Sequence, residues 1–111
     1  MPRTQRDFTR YVVYYISGSS PSIGLAQDAE IDCFTDKWER VGAIYFYPDN
    51  VTLPPNQNTV NGIYLHYKMS RFADVMTMLK EEKPLCLSLD TTNNSGYVGT
   101  SGEPVGEQEG V

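Results

Sequence analysis

Asp28, Glu30 and Asp32 stand at alternate positions, and alternate residues of a β-strand project from one face roughly 7 Å apart. Three carboxylates in such a row are the oxygen donors that a hard cation such as calcium requires. The row departs from a calcium loop, because Glu30 takes its third position and Cys33 stands where that loop needs glycine. Charges on the solvent face of a strand also keep sheet edges from pairing with other chains. That simpler role outweighs the metal reading, so Asp28, Glu30 and Asp32 are a weak metal candidate and no cofactor is expected.

His66 is the sole histidine, which excludes a multi-histidine metal site. A catalytic pair of His66 with Cys33 or Cys86 would need a thiolate. Both cysteines read as half-buried strand positions, in Asp-Cys-Phe and Leu-Cys-Leu contexts, with no neighbouring cation to lower a thiol pKa. Ser17, Ser19 and Ser20 lack the strained strand-to-helix turn of a nucleophile elbow, and Gly18 and Gly24 belong to no phosphate-binding loop. Asp90 could pair with Glu103 or Glu107, but nothing in the last stretch would fix the separation that hydrolysis demands. No catalytic residue is assigned, and the pattern argues against an enzyme.

The aromatic residues are more suggestive. If Ile44 and Phe46 face the same core as Ile63 and Leu65, then Tyr45, Tyr47, Tyr64 and His66 share the opposite face. Tyrosines offer flat contact area with a polar tip, suited to protein interfaces or to a small ring-shaped ligand. The competing expectation is a second core layer under the helix or a long loop. Trp38 lies among Lys37, Glu39 and Arg40, which places it near the surface as a contact anchor or as a rim residue capping the core.

These residues need strands to carry them. Phe8–Ile16 is rich in β-branched and aromatic residues and is stopped by Ser17-Gly-Ser-Ser-Pro21, which predicts a first strand. A second follows over Ile23–Phe34 from its alternation, a third over Val41–Tyr47 before Pro48, and a fourth over Val60–Tyr67 after an extended loop. Phe72, Val75, Met76 and Leu79 recur at helical spacing, which predicts a helix over about Arg71–Glu82 with Ser70 as N-cap and Pro84 as stop. Leu85–Leu89 and Tyr97–Thr100 complete five to six strands. The expectation is an antiparallel-rich α+β fold, either a strongly curled sheet or a small barrel with one helix. A parallel crossover from Val60 through the helix to Leu89 also fits.

A chain of 111 residues has room for one domain, taken as residues 1–100, with 101–111 a flexible acidic, glycine-rich tail. The net charge of −5 repels phosphate backbones, so nucleic acid is not an expected partner. Arg3, Arg6 and Arg10 are too few to reverse that. No apolar run is long enough for a membrane helix, and Met1–Asp7 lacks the apolar core of a secretory signal, so the expected location is cytoplasmic with both thiols reduced. Together these readings favour a protein-interaction domain, self-associating as a homodimer or binding another protein through Tyr45, Tyr47, Tyr64, His66 and Trp38. The alternative is a β-rich domain that binds a sugar or heterocycle in a tyrosine-lined pocket.

Overall fold

The computed structural model describes residues 3–17 and 27–102. Within them eight strands and one α-helix form two open sheets. The smaller is antiparallel, in the order β1-β7-β8, from Arg3–Phe8, Leu85–Asp90 and Ser95–Thr100. The larger has the order β2-β3-β4-β6-β5, from Arg10–Tyr15, Ala29–Phe34, Arg40–Tyr47, Gly62–Lys68 and Gln57–Thr59. The helix α1, Phe72–Glu81, follows a 3-10 turn over Met69–Arg71.

The fold is α+β as expected, but neither sheet closes or curls strongly, and eight strands replace the expected five to six. Two events account for the extra strands. The strand expected over Phe8–Ile16 is β2, Arg10–Tyr15, and β1 is an additional strand over Arg3–Phe8 where none was expected: β1 pairs with β7, the chain changes sheets at Thr9, and β2 pairs with β3. No turn former marks the change, because the Thr9 N–H is satisfied across the break by the Phe34 carbonyl at 3.0 Å. The loop after Pro48 also contains β5, which pairs antiparallel with β6.

The parallel pair is β4 with β6, not the strands flanking the helix. β6 and β7 belong to different sheets, so the helix passes the chain from one sheet to the other. Gly42 and Gly62 allow the close approach of β4 and β6, since a Cβ at Gly42 would collide with the Ile63 carbonyl and one at Gly62 with that of Val41. The second strand begins at Ala29, and the expected positions 23–26 lie outside the described residues, as do 103–111 of the tail.

The core lies between the sheets and the helix. Ala29, Ile31, Cys33, Ile44, Phe46, Ile63 and Leu65 turn inward from the larger sheet, facing Leu85, Leu87 and Leu89 of β7 and Val75 and Leu79 of α1. Phe46 meets Phe72 edge to face at 5.1 Å and stacks on Tyr67 at 5.9 Å. Each side chain of this size contributes roughly 1.5–3 kcal/mol by leaving water. The helix keeps its predicted stripe but not its predicted cap. Ser70 lies in the 3-10 turn, where its N–H donates to Asp49 Oδ1 at 3.0 Å, and the N-cap Arg71 makes no side-chain cap bond.

Candidate functional site

The alternation that turns Ile31, Ile44 and Leu65 inward turns Glu30, Asp32, Tyr45, Tyr64 and His66 to the outer face of the larger sheet. Register brings them into one row: Glu30 lies opposite Tyr45, Tyr45 beside His66, Asp32 opposite Ala43 and Ala43 beside Tyr64. Tyr45 stacks on His66 at 5.4 Å and on Tyr64 at 6.3 Å, and Tyr47 leans on His66 at 5.7 Å. The four aromatic residues singled out in the sequence are thus in contact. The covered and open readings of their face each hold in part, because Tyr47 is buried at 2% exposure whereas Tyr45, Tyr64 and His66 are half-buried.

Arg40 organises the centre of this row. Its guanidinium lies 3.1 Å from Asp32 Oδ1, 3.7 Å from Glu30 Oε2 and 3.5 Å from the Tyr45 hydroxyl, and it covers the Tyr64 ring at 5.4 Å. One cation therefore serves two carboxylates. Burial, the neighbouring Asp32 carboxylate and a hydrogen bond to it outweigh Arg40 and the 2.9 Å Gln27 bond, and they push Glu30 up to about 7. Glu30 and Asp32 of the acidic ladder are thus engaged with an arginine, and among the described residues no group of three or more His, Cys, Asp or Glu side chains is placed to hold a metal. The sequence reading missed Arg40 because its partners arrive from the adjacent strand.

Beside the rings is a hollow of about 380 Å³, bounded by Glu30, Tyr45, Tyr47 and His66 and closed by Gln27, Pro54 and Gln57. The connection over residues 48–56 forms its wall. Lys68 Nζ donates to the carbonyls of Asp49 and Val51 at 2.7 and 2.6 Å, and the His66 N–H donates to Asn56 Oδ1 at 2.9 Å. Asn56 is held in turn by Asn94 of the β7–β8 turn, through bonds of 2.8, 3.1 and 2.7 Å. Nothing in the sequence sets Asn56 apart from its neighbours in this extended loop, because Asn94 lies 38 residues away. Burial lowers the His66 pKa and raises those of Tyr45 and Tyr47, so all three rings are neutral near pH 7. His66 Nδ1 is buried with no hydrogen-bond partner among the described residues, which favours the tautomer with its hydrogen on Nε2, since an orphaned acceptor costs less than an orphaned N–H.

Trp38 stands at the end of the β3–β4 connection, 54% exposed, with φ of 64°. That left-handed conformation costs a bulky residue about 1–2 kcal/mol. Thr35 holds it there, accepting from the Lys37 and Glu39 N–H groups at its hydroxyl and from the Trp38 N–H at its carbonyl. The indole leans on Phe34 at 5.3 Å and lies under Arg10 at 4.8 Å. Phe34 alternates with Asp32 and Glu30, so Trp38 belongs to the same outer face, beyond the Arg40 cluster from the hollow.

The cysteines stay apart from this face. Both are free and buried, and burial raises each thiol pKa, most strongly at Cys33, which suppresses the thiolate needed for nucleophilic attack. A second cleft, about 270 Å³, runs between the Phe8–Tyr11 crossover and the end of α1, with Leu79 and Leu85 at its floor and Lys80 and Lys83 at its rim. Glu81 and Glu82 share that rim with the two lysines, and Phe8 and Tyr11 supply its rings. No helix among the described residues is long and apolar enough to cross a membrane. The chain matches no protein-family model, no curated protein sequence and no solved structure at a significant level.

Proposed function

We propose that this domain is a non-enzymatic protein-interaction module whose working surface is the outer face of the larger sheet, with a second copy of the chain as the first partner to test. The observation that carries this reading is the continuous band from Trp38 through Phe34, Arg40, Tyr64 and Tyr45 to His66, packed in place yet open to solvent on one side. Trp, Tyr and Arg are the side chains that most often dominate binding energy at interfaces. Holding Trp38 in a left-handed conformation opposes stability and is supported by the Thr35 turn, as in segments shaped for contact. β2 is an edge strand among the described residues, so a second copy could add to the sheet there beside the aromatic band.

Sedimentation velocity over a wide concentration range tests the self-associating form. A dimer weakened tenfold or more by Tyr64→Ala or Trp38→Ala is expected. A wild-type monomer at every concentration rejects self-association and leaves another protein as the partner. The hollow itself favours a second reading, a small polar ligand held by the Tyr45 and Tyr47 walls, because its volume lies within the range of small-molecule sites. A thermal-shift screen with saccharides and heterocycles separates this reading from the first.

A further inference from the structure

The hollow and the Arg40 cluster share Glu30, and that residue gives the hollow its electrostatic character. Two carboxylates, Glu30 and Asp32, face one guanidinium, with Arg40 closer to Asp32 at 3.1 Å than to Glu30 at 3.7 Å. Arg40 does not line the hollow, whereas Glu30 does. Among the described residues the remaining walls are the neutral rings of Tyr45, Tyr47 and His66, the Pro54 ring and the amides of Gln27 and Gln57. An excess carboxylate beside aromatic walls suits a cation and rejects an anion, because ring faces and carboxylate attract the same sign of charge.

We infer that this hollow takes an alkylammonium group, with Glu30 as its counter-ion and Tyr45, Tyr47 and His66 enclosing its methylenes. The inference rests on the outer face being the binding surface. The ammonium has two sources of the same chemistry, a free alkylamine or a lysine side chain on the partner protein.

In the unliganded protein burial and the hydrogen bond with Asp32 hold a proton on Glu30, whose pKa is pushed up to about 7. The groups facing Glu30 are Asp32 on its own strand, Arg40 and Tyr45 on β4, Tyr14 opposite it on β2, and Gln27, Tyr47 and His66 around the hollow. Binding an ammonium releases the Glu30 proton to solvent. An alkylammonium stays charged below pH 9, so affinity follows the ionised fraction of Glu30 and rises roughly tenfold between pH 6 and pH 8.

The test is an amide-resolved NMR titration of the full chain at both pH values. The probes are butylamine, 1-butanol, and acetyl-Gly-Lys-Gly-amide with its norleucine counterpart. The expected result is saturable shifts at Glu30, Tyr45, Tyr47 and His66 with both cations and none with either neutral probe. Affinity should be about tenfold higher at pH 8, and Glu30→Gln should weaken binding tenfold or more while keeping the dispersed spectrum of the folded chain. A lysine peptide binding tenfold tighter than butylamine identifies the source as a partner's side chain, and equal affinity identifies a free amine. Equal binding of the neutral probes, or unchanged binding by Glu30→Gln, overturns the ammonium assignment. Sedimentation in the same buffers separates the two levels. A dimer that Tyr64→Ala breaks, combined with a silent amine titration, rejects the ammonium and keeps the interaction face. Silence in both rejects both.

Discussion

The two faces of the larger sheet are made by the same strands and behave as different materials. On the inner face Ile31, Ile44, Phe46 and Ile63 are fully buried and in contact with β7 and the helix. On the outer face the intervening residues Glu30, Asp32, Tyr45, Tyr64 and His66 are only half-covered and interact through charge, hydrogen bonds and stacked rings. Period-two alternation makes this division possible, because neighbouring residues on one strand never compete for the same surroundings. Stability should therefore reside on one face and recognition on the other.

The largest effect expected from that division is at the inner face. Phe46→Ala removes a fully buried ring and its contacts with Phe72 and Tyr67, a loss of about 3–5 kcal/mol that urea denaturation would register as a large fall in midpoint. A loss below about 1 kcal/mol would mean that the core is looser than its burial implies.

Asn56 probes the join between the faces. Asn56→Ala removes the side-chain bonds to the His66 N–H and the Asn94 carbonyl, at a cost of about 1–2 kcal/mol. It should also free the connection that walls the hollow. Faster amide exchange at His66, measured beside the denaturation curve, would verify this.

Glu30 provides a signature in pH. Its folded pKa of about 7 lies above the ordinary 4.5, so between these values the folded state keeps a proton that the unfolded state has lost. Stability from this group is full below about pH 4.5 and falls as pH rises toward 7. Melting temperatures from pH 4.5 to 8 should show a decline that Glu30→Gln flattens. An identical slope in the variant would assign the titration elsewhere.

The smallest effect on stability is expected at Trp38. Replacement by glycine relieves the left-handed strain and forfeits the contacts with Phe34 and Arg10, so the two should cancel to within about 1 kcal/mol. Partner binding should fall all the same. A variant that melts much lower would show Trp38 to be a structural cap, erasing the contrast between the faces at that end.

Much of this arrangement is legible in the residues because it depends on local periodicity. The spacing of Phe72, Val75, Met76 and Leu79 marks the helix, with Pro84 ending it, and the alternation around Ile44 and Leu65 places Tyr45, Tyr64 and His66 on one side. Longer-range decisions were not legible. Nothing between Phe8 and Arg10 announces a change of sheet, and Gln57–Thr59 carries no strand-forming residues beyond one threonine, becoming a strand only because β6 offers its edge. Arg40 reads as one charge in a mixed connection until the register of β3 and β4 sets it beside Glu30 and Asp32.

The sequence by itself therefore determined an α+β composition with one helix, several strands and an aromatic set on the sheet face opposite the core, because each follows from side-chain spacing along a single element. Only the tertiary structure decided the two open sheets, the parallel pairing of β4 with β6, the Asn56–Asn94 clasp and the charge state of Glu30. These depend on which elements meet, and hydrophobic burial rewards many pairings almost equally until the whole chain selects one.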